Sequence, residues 1–484
     1  VLIRQTLAYM PAQLIGPLSQ FATAIVLTHW LGAADYGLTM LVFAAQELVF
    51  LICLSWWSFY MMRYSGSITE EEQRERYLRS EATILLLTTA LQVIATIAII
   101  LATEPGVSKA FYFGAVVFTV SRSFLNFLSE RARTLGAIRE YSLIQIAAPL
   151  GGLLMTILVM YTIGAKPGWV LLVFAIMQAL VAAFVAGRLG VSPWPGRVDR
   201  AILIAALTFG IPVVVSGAFG WVAGNGIRFV VQYMLGAEPL GLLSVGWGLA
   251  TRLSAVAALV VTAAAYPLAV KAMERGDAEG ARRQISENSA LLFGIVAPAT
   301  IGVIMITEPL TQLLIAREFQ AATIAILPWA LLGAAIRNIR MHGWDQLYLL
   351  MEKPKLMMGL EGIEALVTVV FAAIGAWFWG ILGAVVGTLV AAVVVAIGDF
   401  MFLNRHLGLS APFLKYLRIS IATALMAGAI YALPRLGYAI RADWLSLLGV
   451  VIIGMAVYAL ALVALFPGEV RGIVREAKAR FSSG

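Results

Sequence analysis

Long apolar runs alternate with short polar segments along the whole chain. Leu85 to Leu101 and Ala442 to Leu465 are two of the longest. Crossing a bilayer as a helix takes about 20 mostly apolar residues. Strands of a membrane barrel read instead as short alternating segments. The pattern therefore predicts an all-α integral membrane protein with fourteen transmembrane helices. The predicted spans are 7–28, 38–62, 81–102, 110–128, 142–163, 168–187, 203–233, 242–266, 286–306, 321–338, 356–376, 380–402, 416–434 and 444–466. The seventh carries Gly210, Pro212, Gly217, Gly220, Gly224 and Gly226 and is expected to bend or break. No connecting segment is long enough for a soluble domain.

Composition agrees with the pattern. Of 484 residues, 61% are hydrophobic and 12% charged, against about 25% charged in a soluble domain. That excludes an ordinary soluble enzyme and a disordered chain. The net charge of +8 would suggest nucleic acid or an anionic partner in a soluble protein. Here a topological reading comes first. With the N-terminus inside, 26 of the 34 Lys and Arg fall on the inner side and only Lys109, Lys166, Arg317, Arg435 and Arg441 on the outer. This bias supports an even span count and two cytoplasmic termini, with no nucleic-acid partner.

Cys53 is the single cysteine, so no internal disulfide forms, and the three histidines lack metal-ligand spacing. No metal and no cofactor are expected. No G-x-x-x-x-G-K-[ST] motif is present, which argues against an ATP-driven transporter in one chain. Starting at Val1, the chain is expected to lack its native start, and no cleavable signal is evident. The basic tail, 467–484, is expected to lie on the inner surface as an amphipathic segment.

An internal repeat organises the spans. Leu31-Gly32-Ala33-Ala34-Asp35-Tyr36-Gly37 matches Leu235-Gly236-Ala237-Glu238-Pro239-Leu240-Gly241 at an offset of 204, and the same offset carries Thr103-Glu104-Pro105 onto Thr307-Glu308-Pro309. Later the register slips: Arg139-Glu140-Tyr141 best meets Lys353-Pro354-Lys355, which places an insertion near span 10. The division expected is an N-lobe of spans 1–6 (1–200), a C-lobe of spans 7–12 (201–412), two extra spans (413–466) and the tail. Six spans per lobe is an even number, so the lobes are parallel repeats, and rocking between them suits alternating access.

Leu31-Gly32-x-x-x-Tyr36-Gly37, the basic Arg131-x-Arg133 with Arg139-Glu140-Tyr141, and the 6+6+2 plan together resemble a known group. It is the polysaccharide transport branch of the multidrug/oligosaccharidyl-lipid/polysaccharide exporter superfamily. The resemblance implies a MATE-like or lipid II flippase-like fold and no enzymatic activity. It implies a flippase that moves undecaprenyl-diphosphate-linked repeat units of O-antigen, capsule or exopolysaccharide across the bacterial inner membrane. Membrane lipids, a polysaccharide polymerase and a chain-length regulator are the partners it suggests, with a proton or sodium ion for coupling. Lipid II-type flippases and cation-coupled multidrug exporters are the alternatives. Span 1 lacks the acidic residue often found in the multidrug branch. The short outer loops argue against a membrane polymerase or ligase.

Ionisable groups within spans are costly and are read as functional by default. Arginine stays protonated and pairs two phosphate oxygens at once, which suits a diphosphate head. Arg252 lies near the middle of span 8, Arg228 nearer the outer end of span 7, Arg122 in span 4 and Arg63 at the inner end of span 2. The repeat maps Glu47 onto Thr251, so a Glu47–Arg252 pair is expected at matching depth, as a gate or as a structural bridge. Arg228 and Arg122 can also snorkel to the surface, and Arg63 can be topogenic. Glu361 and Glu364 share a face of span 11, and Asp399 lies near the inner end of span 12. These three are candidate proton or sodium sites, or partners for Lys353, Lys355 and Arg405. Trp56-Trp57 and Trp377-Phe378-Trp379 can stack on sugars, but their places near span ends favour interfacial belts.

Overall fold

The computed structural model describes the backbone of residues 2–67, 70–192 and 194–468, and the side chains of these except 2–14, 67 and 256–265. Most of the expected inner-surface tail lies outside the described residues. Among the described residues, sixteen α-helices follow in chain order. They are α1 (Leu2–Thr28), α2 (Ala33–Cys53), α3 (Ser55–Tyr64), α4 (Glu71–Thr103), α5 (Lys109–Thr134), α6 (Ile138–Thr162), α7 (Pro167–Ala186) and α8 (Arg200–Leu235). Then come α9 (Ala237–Glu274), α10 (Ala278–Met305), α11 (Thr307–Leu314), α12 (Arg317–Ile339), α13 (Gln346–Leu350), α14 (Pro354–Leu407), α15 (Phe413–Ala432) and α16 (Trp444–Leu465). No strand occurs among the described residues.

Among the described residues, eleven helices are long and apolar enough to cross a membrane. The division into helices differs from the fourteen spans expected. The second expected span breaks at Leu54 into α2 and α3. The seventh, despite its glycines and Pro212, is one helix, α8. The eleventh and twelfth, by contrast, divide where expected: α14 is two helical segments separated by the non-helical backbone of Trp379 and Gly380. Gly380 has φ 58° and ψ −139°, a region essentially reserved for glycine.

Helix starts follow local chemistry. The Ser108 hydroxyl accepts from the Phe111 N–H at 3.2 Å. Asp199, Asp277 and Asp443 accept from backbone N–H groups at the starts of α8, α10 and α16. One helix shows the lipid-facing pattern plainly. On α4, Thr88, Gln92 and Thr96 are buried while Leu87, Leu91 and Ile94 are at least 50% exposed. Lipid solvates such an apolar outer face, and polar groups turn inward to find partners.

The chain separates into two compact units: 1–245 with 364–381, and 246–363 with the residues from 382 onward. In the first, α5, α6 and α7 pack together, α1 lies on α6, and α3 lies on α8. Its core includes Leu54, Trp57, Tyr77, Phe127, Leu128 and Val185. Trp57 is fully buried, so it is not the interfacial residue expected. In the second unit α15 packs on α10 and α16, around Met426, Ile430, Leu447 and Val450.

The repeat has a physical counterpart inside the first unit. A Cβ on Gly37 would lie 2.3 Å from the Ala237 carbonyl oxygen, and one on Gly241 would lie 1.8 Å from that of Ala33. Residues 33 and 37 of one copy thus meet 237 and 241 of the other reciprocally. Each motif carries its glycine where the partner's backbone crosses, as expected at a two-fold relation between copies. The register slip is also visible. Helix starts match at an offset of 208 for α12 on α5 (317 against 109) but 216 for α14 on α6 (354 against 138). A π-helical turn over Arg340–Trp344 and the short α13 lie in the stretch where the offset grows. Inserted residues commonly bulge a helix into such a turn, often at functional sites.

Candidate functional site

Two groups of charge stand out in the first unit. On α2 and α5, Gln46 donates to the Ser123 hydroxyl at 3.2 Å. This sets a register that brings the neighbouring residues, Glu47 and Arg122, toward one another. Glu47 is the acidic group whose charge acts on Arg122. Arg122 is half-buried and Glu47 is exposed on its helix. The expected partner of Glu47 was Arg252, which belongs to the second unit. On α8, the Arg228 guanidinium donates to the Asn225 side chain, one turn back. Further along the same helix, Gln232 donates to Glu104 at 3.0 Å and to the Thr103 carbonyl at 3.2 Å. Arg63, at the end of α3, is exposed.

The second group was not legible as a site in the sequence. Arg131 and Glu81 form a buried ion pair at 2.5 Å, with their side chains 10% and 1% exposed. Trp57 Nε1 and the Tyr77 hydroxyl donate to the second Glu81 oxygen at 3.2 and 3.3 Å. Arg131 also donates to the carbonyls of Leu189 and Gly190 at 2.7 and 3.1 Å. Removing two charges from water costs several kcal/mol each, and here nearly every donor and acceptor is matched. The network ties α3, α4 and α5 to the segment after α7. Arg131 stood in the sequence as one basic residue among many. The usable signal was Glu81, a lone carboxylate at the edge of an apolar run with Tyr77 one turn before it.

The second unit holds a related arrangement. Arg340, at the end of α12, is buried, with Asp345 at 3.4 Å. Nearby, the Tyr348 hydroxyl donates to Asp399 Oδ1 at 2.7 Å. Asp399 is 3% exposed, and its Oδ2 has no hydrogen-bond partner among the described residues. Its contact is therefore a tyrosine, not one of the lysines or Arg405 considered in the sequence. Arg131 and Arg340 thus occupy equivalent ends of repeat-related helices, each buried beside a carboxylate. One difference matters chemically. In the first unit the carboxylate that meets the tyrosine also meets the arginine, whereas in the second Asp345 meets Arg340 and a separate aspartate, Asp399, meets Tyr348. A buried carboxylate oxygen without a partner is costly unless something neutralises it.

Arg252 on α9 is half-buried. Its Nη1 lies 3.6 Å from where a Cβ on Gly248 would stand, so the side chain folds back one turn over that glycine. Two residues on, Ser254 accepts from Asn338 of α12 at 2.9 Å. On α14, Glu364 is buried and Glu361 half-buried, and neither lacks partners. Trp377, Phe378 and Trp379, at the α14 kink, are all strongly exposed. No group of three His, Cys, Asp or Glu residues arranged for a metal ion occurs among the described residues.

Apolar outer faces, many long helices and isolated buried charges together define a multi-pass membrane protein. A family model described as "Polysaccharide biosynthesis protein" matches residues 2–273, more than half of the chain, and the protein belongs to that family. No curated protein matches. Among solved structures, the lipid II flippase MurJ in an inward closed conformation is similar at 14% identity, covering 97% of this chain and 100% of its own, with a TM-score of 0.76. An inward-facing multidrug resistance MATE transporter is similar at 17% identity, over 84% of this chain and 95% of its own, with a TM-score of 0.68. A transporter from Pyrococcus furiosus is similar at 17% identity, over 86% and 95%, with a TM-score of 0.54. At such identities the likeness is one of fold. The family is thus one of polysaccharide biosynthesis, and the fold is the one shared by these flippase and multidrug transporter structures.

Proposed function

We propose that this protein flips undecaprenyl-diphosphate-linked oligosaccharide repeat units across the bacterial inner membrane by alternating access. The lobes are the two six-span repeats, 1–200 and 201–412, and both termini are cytoplasmic. The observation that carries the reading is the set of arginines within apolar helices: Arg122 and Arg228, half-buried in α5 and α8, and Arg252 in α9. A diphosphate crossing a low-dielectric path needs fixed counter-charge, and guanidinium supplies it in two-pronged form. The head group enters from the cytoplasm, past Arg63, while the polyprenyl tail stays in the bilayer beside α15 and α16. Asp399 is the coupling site for a proton or sodium ion, with Glu361 and Glu364 as further candidates. Family membership in polysaccharide biosynthesis supports this substrate class over a drug.

The test is a gene deletion complemented by variants. Loss of surface polysaccharide with unchanged drug tolerance is expected, restored by the native gene. Arg252→Ala and Arg122→Ala should fail to restore it while still inserting in the membrane. Asp399→Asn should insert but lose transport driven by an ion gradient. Normal polysaccharide together with lowered drug tolerance would favour a cation-coupled exporter. Arrest of cell-wall synthesis would favour a lipid II-type flippase.

A further inference from the structure

The first unit carries a second feature that the transport reading does not use. At the charge-poor end, outer on the proposed orientation, a cavity of about 760 Å³ opens between the starts of α2, α5 and α7. Its lining combines apolar Leu38, Phe113 and Leu172 with Trp169, Asp35 and Lys166. Asp35 is half-buried, and among the described residues its carboxylate has no ion pair and no hydrogen bond. Lys166 is exposed at the cap of α7. A cation and an anion therefore line one cavity without being paired to each other. Deeper along α5 and α7, with α4 in place of α2, lies a second cavity of about 520 Å³, lined by Val116, Val117, Val120 and Phe124 of α5, Ala179 and Ala183 of α7, Ser121, and Thr89 of α4. Both polar residues there are already bonded, Thr89 to the Leu85 carbonyl and Ser121 to Gln178, so this cavity offers only apolar contact.

The two cavities share helix faces. Phe113, Val117, Val120 and Phe124 follow at steps of four, three and four on α5, and Leu172, Ala179 and Ala183 at steps of seven and four on α7. From Phe111 to Val120 the rise is about 13 Å. Small residues on α7 leave the deeper recess open. An occupant of both cavities thus has a small charged head at the bilayer interface and an apolar chain below it.

We infer that this face binds a zwitterionic phospholipid with a primary ammonium head, of the phosphatidylethanolamine type. The ammonium donates to Asp35, Lys166 meets the phosphate, Trp169 sits at the interface as tryptophans do, and an acyl chain fills the deeper recess. Charge decides against a polyprenyl diphosphate at this place, because Asp35 repels it and a single lysine does not balance it. A choline head lacks the N–H donors, and a glycerol head lacks the cation. The inference stands apart from the substrate of the transporter.

Native mass spectrometry of the purified full chain tests it, with dioleoyl phosphatidylethanolamine, phosphatidylglycerol and phosphatidylcholine and with undecaprenyl diphosphate as probes. The ethanolamine lipid should be retained about tenfold better than the others, the worth of one charge-assisted hydrogen bond. Asp35→Asn should erase that preference and Asp35→Glu keep it. Lys166→Gln, at an exposed position, should weaken all the phospholipids. Ala183→Leu should reduce retention by filling the deeper recess. Equal binding of the three phospholipids by the native protein would overturn the inference. So would a preference that survives Asp35→Asn, or displacement of the ethanolamine lipid by undecaprenyl diphosphate in an Asp35-dependent way.

Discussion

Arg131 and Glu81 illustrate how much a single pair decides here. Neither can leave its partner without stranding a charge away from water, and such an imbalance costs about 3–5 kcal/mol. Glu81→Gln and Arg131→Met are therefore each expected to lower stability by about that amount, read as thermal unfolding of the purified protein. Arg76 and Glu72, by contrast, form an exposed pair one turn apart at 3.9 Å. Arg76→Gln is expected to cost about 0.5 kcal/mol or less. Both arginines look alike in the sequence, as basic residues at the inner boundary. Burial separates them, and burial depends on α3, α4, α5 and the segment after α7 closing around one point. For the same reason Glu47 meets the charge of Arg122. The α2–α5 register, set by Gln46 and Ser123, decides that contact, and spacing along the chain does not carry it.

At the scale of elements, local chemistry was largely legible. Apolar runs became helices because lipid leaves the backbone no other way to satisfy its hydrogen bonds. Ser108, Asp199, Asp277 and Asp443 stand where helices start. Boundaries were legible only where a local signal exists. Leu54 breaks a helix without proline or glycine, and Pro212 fails to break α8. The kink in α14 rests on Gly380, whose backbone conformation an L side chain strains. Gly380→Ala is expected to destabilise the protein by about 1–3 kcal/mol, measured by the same unfolding. Gly241 answers to a different constraint, a backbone crossing. Gly241→Ala drives a Cβ into the Ala33 carbonyl and is expected to abolish monodisperse protein on size exclusion. Gly359→Ala, in a helix with open space around it, is expected to be neutral or stabilising by up to about 1 kcal/mol.

For the whole molecule, the charge bias makes a prediction about sidedness. The native thiol is buried at Cys53, so a Cys53→Ser background supplies a clean reporter. A cysteine at Lys166 is expected to react with an impermeant maleimide on intact spheroplasts. One at Arg275 is expected to react only after permeabilisation. The reverse pattern would invert the proposed orientation, and with it the assignment of the phospholipid cavity to the outer leaflet.

The sequence by itself determined the membrane class, the helical content, the family resemblance and the tandem repeat. Those follow from composition and local pattern, since an apolar run of sufficient length partitions into lipid whatever its neighbours do. Tertiary structure decided which scarce charges meet. Glu81 finds Arg131 fifty residues away, Tyr348 finds Asp399 across fifty-one, and Gly37 lies against Gly241. Each of these contacts depends on the rotation and crossing of helices far apart in the chain. Hydrophobicity along the chain says which residues enter the bilayer, but not which way a helix turns once inside it.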